Sequence, residues 1–96
     1  MPTPDPLPSD DELVRRMAHR RAFADVVRRA REARGLSQEA LAERAEVSRP
    51  TIARIEGSTN TVTLDRLWAL ASALDTSATD LIRRTELLAS SESGTG

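Results

Sequence analysis

The chain has 96 residues, a net charge of −1 and no cysteine, which bounds it to one small domain and excludes disulfides, thiolate metal sites and thiol nucleophiles. A single histidine, His19, excludes a multi-histidine metal cluster. No apolar run is long enough to cross a bilayer, and the proline-rich, acidic start MPTPDPLPSDDE is unlike a signal peptide, so the expected location is the cytoplasm.

The first eight residues carry four prolines and are expected to be disordered. Ser9 then offers an N-cap, with Glu12 three residues on, and a helix from there places Leu13, Val14, Met17 and Ala18 on one stripe. A second stripe follows: Phe23, Val26, Val27, Ala30 and Ala33. Its centre lies roughly 150° around the helix axis from the first. Either the helix breaks near His19–Ala22, giving a short leading helix over 9–21, or its N-terminal half packs on something else, such as a second subunit. The break is the expected outcome. Gly35 supplies the left-handed residue that ends the second stripe.

Ser37 caps the next helix, with Glu39 near its positive end and Leu41, Ala42 and Ala45 facing inward. Glu46-Val47-Ser48 reads as a tight turn. A short helix begins near Arg49-Pro50, where proline is tolerated in the first turn, and buries Ile52 and Ile55. After the loop Gly57–Thr61, Thr63 caps a fourth helix with the stripe Leu64, Leu67, Leu70, Ala71 and Leu74. Ser77, with Asp80 three residues later, opens a fifth helix that buries Leu81 and Ile82 and extends through Leu87 and Leu88. The tail SSESGTG is expected to be disordered. No segment alternates with period two. The fold class is therefore all-α, five helices around one apolar centre.

The net charge hides a segregation. Residues 1–12 hold four acids and no base, residues 13–54 hold eleven arginines against five acids, and residues 55–96 hold three arginines against six acids. Binding a polyanion needs a basic face rather than a basic average. All fourteen cations are arginine, which suits bidentate recognition of phosphate and guanine and also follows from a biased genome composition.

The stretch LSQEALAERAEVSRPTIARIE, Leu36 to Glu56, joins two short helices by a turn of about three residues and resembles the helix-turn-helix of the lambda-repressor-like, Xre-type family. The resemblance runs from Phe23 to about Ile82. It rests on Phe23 twelve residues before Gly35, Leu36-Ser37-Gln38 opening the second helix, Ala42 at the helix crossing, Val47-Ser48-Arg49 at the turn exit, and Ile52, Ile55 and Glu56 on the third helix. It implies a DNA-binding domain over 22–84, preceded by the leading helix and followed by a helix extension and disordered tail over 85–96.

The resemblance also implies roles. Arg49, Pro50, Thr51 and Arg54 match groove-facing positions of a recognition helix, and Gln38, Ser48, Arg28 and Asn60 are expected at phosphates. For Arg28, as for Arg29, a plain solvated face is the other reading. Arg31 and Glu56 match a salt bridge between the first and third helices, and Ala42 is the small residue a close crossing needs. Glu46 and Asp75 replace common glycines, so both are expected to be left-handed. The loop after Glu56 lacks the family's frequent basic residues, which predicts fewer phosphate contacts there.

Val26 and Trp68, with Leu13, Val14 and Met17, exceed what one small core needs. Either the leading helix covers Trp68, or these residues form the seam of a homodimer. The expected function is a sequence-specific, DNA-binding transcriptional regulator acting as a dimer on double-stranded DNA. The alternative is an antitoxin that binds a toxin protein and autoregulates its operon. No nucleophile–base pair, phosphate-binding glycine loop or metal set points to an enzyme, and no cofactor or membrane partner is expected.

Overall fold

The computed structural model describes residue 7, residues 9–59 and residues 61–93; residues 1–6, 8, 60 and 94–96 lie outside them, and with them most of the expected disordered ends. Among the described residues five helices follow one another without a strand: α1 (Asp10–Ala33), α2 (Gln38–Ala45), α3 (Arg49–Glu56), α4 (Leu64–Ala73) and α5 (Ala78–Ser93).

Each helix begins where a hydroxyl meets an orphan backbone N–H. Ser9, Ser37, Ser48 and Thr63 accept from the amides of Glu12, Ala40, Thr51 and Arg66, and the Ser77 hydroxyl accepts from Asp80 N at 3.0 Å. Each such cap stabilises by about 1 kcal/mol. The helices end on left-handed residues more often than glycine count alone allows: φ is 67° at Gly35, 57° at Glu46, 55° at Ser58 and 54° at Asp75. Glu46 and Asp75 were expected there and Ser58 was not. At Glu46 this conformation costs about 1–2 kcal/mol. The turn offsets the cost by closing α2, with Glu46 N and Val47 N donating to Glu43 O and Ala42 O at 3.2 and 3.0 Å.

The core draws one or more large side chains from every helix. Val27, Leu41, Ile52, Leu70, Leu74 and Leu81 are fully buried, with Phe23, Val47, Val62 and Leu67 packed around them. Five expectations need correction. First, α1 is one continuous 24-residue helix, with no break near His19–Ala22 and no separate leading helix. The break followed from assuming that both stripes are buried. In fact only the small Ala18, with Ala22 just beyond the N-terminal half, packs on the side of α5 where Thr85 and Ala89 are buried, while Leu13, Val14 and Met17 remain 43%, 59% and 55% exposed. Second, α5 runs to Ser93, so residues 90–93 are helical rather than part of a disordered tail. Third, Leu64 and Ile82 are exposed, because α4 and α5 turn those positions outward together with Trp68 and Leu87. Fourth, Val26 is buried among the core side chains and belongs to no seam. Fifth, α1 does not cover Trp68, which stays 58% exposed.

Candidate nucleic-acid interface

Helices α2 and α3 pack on one another, Ala42 of α2 is 3% exposed, and the three residues Glu46–Ser48 join the two helices. A larger side chain at Ala42 would overpack the buried place it fills. With Thr51, Ile52 and Ile55 turned into the protein, the remaining side of α3 presents Arg49, Pro50, Ala53 and Arg54, all exposed. Positions 50, 53 and 54 share one face because residues three and four apart are neighbours on a helix.

Thr51 departs from the groove-facing role expected of it. Its side chain is buried and its hydroxyl lies 2.8 Å from the Ser48 hydroxyl, so it seals the start of the helix. Ala53 takes the outward place in its stead. Its spacing of three from Pro50 is the sequence signal for that place, although alanine carries no polar group to mark it.

Three side chains lock the far end of α3 to the rest of the domain. The Arg31 guanidinium donates to the Glu56 carboxylate at 2.7 and 3.0 Å and to the Leu36 carbonyl at 2.7 Å. Gln38, the first residue of α2, donates to the same carboxylate at 3.2 Å. Glu56 is only 4% exposed in its side chain and Arg31 only 13%. The hydrogen bond to Glu56 raises the already high pKa of Arg31 further, against the opposing effect of burial. The pair that the resemblance implied is thus present, and Gln38 joins it as a brace.

The cations differ in what they already hold. Arg28 and Arg29 both pair with Asp25, Arg16 with Glu12, and Arg34 with Asp75 at 2.6 Å. Arg49 and Arg54 make no ion pair among the described residues. Ser48 is exposed at the N-terminus of α3, and Asn60 lies outside the described residues. A helix about 10–12 Å across fits a major groove about 12 Å wide, and α3 offers that groove a face of two free guanidinium groups and two small apolar side chains. Among the described residues no set of histidine and carboxylate groups can hold a metal ion, and no helix is long and apolar enough to cross a membrane.

Two short helices, a tight turn and an outward cationic face define a helix-turn-helix domain. The model of the helix-turn-helix family of Xre, lambda-repressor-like type matches residues 27–81, more than half of the chain, and the chain belongs to this family of DNA-binding transcription regulators. Among solved structures, it is similar to the restriction-modification controller protein C.AhdI from Aeromonas hydrophila, with 34% identity and a TM-score of 0.65 over 67% of this chain and 97% of that one. It is similar to a family transcriptional regulator from Vibrio cholerae, with 28% identity and a TM-score of 0.67 over 74% of this chain and 40% of that one. The clp gene regulator ClgR from Corynebacterium glutamicum shares the fold, with a TM-score of 0.75 at 22% identity over 79% of this chain and 81% of that one. No curated protein matches the chain.

Proposed function

We propose that this chain is a sequence-specific DNA-binding regulator that reads the major groove with the outward face of α3 and acts as a dimer. The observation that carries the reading is the pair Arg49 and Arg54, exposed on one short helix and held by no carboxylate among the described residues. Each is assigned to guanine O6 and N7, a contact that discriminates by about 1–3 kcal/mol. Pro50 and Ala53 are assigned to thymine methyl groups. Gln38 and Ser48 stand at helix N-termini, where backbone N–H groups and the helix dipole favour a phosphate. Arg28 is already neutralised by Asp25 and adds less.

The dimer seam is assigned to the shelf formed by Trp68 of α4 with Ile82 and Leu87 of α5, which line one shallow groove, and to Leu64 beside it. Two-fold pairing is the usual way such domains read two half-sites about 34–36 Å apart, one turn of the duplex. Selection of bound fragments from random DNA is the test. A palindromic consensus supports both parts of the reading, and selection that enriches no sequence overturns it. Trp68→Arg is expected to give a monomer by analytical ultracentrifugation.

One observation favours a second reading, an antitoxin that also binds a toxin protein and autoregulates its operon: the apolar stripe Leu13, Val14 and Met17 is uncovered. Co-purification with the product of an adjacent gene, lost in Met17→Glu while DNA binding persists, would support it.

A further inference from the structure

The outward side of α1 repeats with the spacing of a helix-pairing seam. Asp10, Val14, Met17 and Arg21 follow one another at intervals of four, three and four, as the a and d places of a heptad do. All four are exposed, and so is Leu13 beside them. Arg15, Ala18 and His19 line a groove with Glu86 and Ala89 of α5. The exposed stripe lies roughly 120° around the axis from those three residues. Helix α5 thus supports α1 from another side and leaves this one open. Three residues beyond Arg21 the same line reaches Ala24, which is buried, so the stripe ends where the domain begins.

The two ends of the stripe carry opposite charges. Glu12 pairs with Arg16, and Asp25 with Arg28 and Arg29, but Asp10 and Arg21 make no ion pair among the described residues. A second copy of α1 laid antiparallel meets this pattern layer by layer. Asp10 stands opposite the partner's Arg21 and Val14 opposite the partner's Met17, and the two-fold axis repeats both contacts. A parallel copy would set Asp10 against Asp10 and Arg21 against Arg21, so like charges reject that arrangement. The helix dipoles also favour the antiparallel one. The lengths agree as well: α1 begins at Asp10, so the partner helix starts opposite the residue at which the exposed stripe ends.

We propose that the N-terminal half of α1 is a self-association surface that pairs antiparallel with the same stretch of a second copy of this chain. The occupant is a second copy because its ends complement the stripe in sign and its middle supplies the matching apolar pair. This seam is separate from the Trp68 shelf and does not depend on it. With both in place, the chain joins dimers into tetramers. Four layers make a short seam, so the tetramer forms at higher concentration than the dimer.

Trp68→Arg isolates the seam, and analytical ultracentrifugation across rising concentration reads it. Monomeric when dilute, this chain is expected to become a dimer as its concentration approaches about 1 mM. Adding Asp10→Arg or Arg21→Asp sets like charges across the seam. Each is expected to weaken dimerisation by at least about tenfold, with helical content by circular dichroism unchanged. Mixing the two charge-reversed chains restores both opposite-charge contacts, so the mixture is expected to form a heterodimer tighter than either homodimer. A Trp68→Arg chain that stays monomeric overturns the proposal, and so does a mixture that gains nothing over its components. Capture of an adjacent gene's product by a stripe that pairs with no second copy would also overturn it and assign the surface to that partner. A wild-type chain that dimerises through Trp68 and goes no further removes this seam alone and leaves the DNA-reading dimer standing.

Discussion

The two halves of α1 are built from the same residue types and meet different fates. The C-terminal half buries Val26, Val27 and Ala30 and sends Arg31 across to Glu56. The N-terminal half buries only Ala18 and leaves Leu13, Val14 and Met17 in solvent. One half is held by the domain, and the other is held mostly by its own hydrogen bonds, its Ser9 cap and one wall of α5. An apolar stripe at helical spacing thus signals a helix, but burial depends on whether a second surface lies opposite.

The largest effect that would sharpen this contrast is in the packed half. Arg31→Ala leaves the Glu56 carboxylate buried without its cation, and the expected loss of stability is about 3–5 kcal/mol in chemical denaturation. A loss below 1 kcal/mol would mean that the two halves differ little in their hold on the domain. Arg49→Ala is expected to remove about 1–3 kcal/mol of discrimination at one or two base pairs with the melting temperature unchanged, since its side chain is exposed and makes no ion pair among the described residues. A sharp fall in melting temperature with specificity intact would move Arg49 from reading to scaffolding.

In the unpacked half, Leu13→Ser and Met17→Ser are expected to change the stability of the monomer by no more than about 0.5 kcal/mol. A larger loss that grows with protein concentration would show that this stripe is covered in an assembly. The smallest effect concerns α5, the wall that supports this half. Hydrogen bonds from Arg83 and Thr76 hold the Asp80 carboxyl below its ordinary value of 3.8. Because the folded value is the lower one, the stability it brings is complete above the unfolded value and is lost as pH falls through the folded one. Wild type and Asp80→Asn are therefore expected to differ in melting temperature at neutral pH and to converge in acid.

The sequence made legible what local chemistry decides. Hydroxyl caps at Ser9, Ser37, Thr63 and Ser77 and the Arg49-Pro50 first turn mark the five helix starts, and the family resemblance between Phe23 and Glu56 implies the turn and the Arg31–Glu56 pair. It was silent where two surfaces had to be weighed. Thr51 looked outward from its position beside Arg49 and Pro50, yet the Ser48 hydroxyl draws it inward. Ile82 and Leu64 belong to apolar stripes, yet both stay exposed. The length of α1 was misjudged for the same reason, since continuity costs nothing when the outer stripe is left wet.

The hydroxyl pair between Ser48 and Thr51 has a further consequence for how this domain can diversify. With position 51 committed to sealing the helix start and positions 52 and 55 committed to the interior, the reading proposed above confines the code to positions 49, 50, 53 and 54. Those four side chains are a cassette that mutation can rewrite without disturbing the scaffold. New operator preferences are thereby reachable in single steps, each screened for recognition alone.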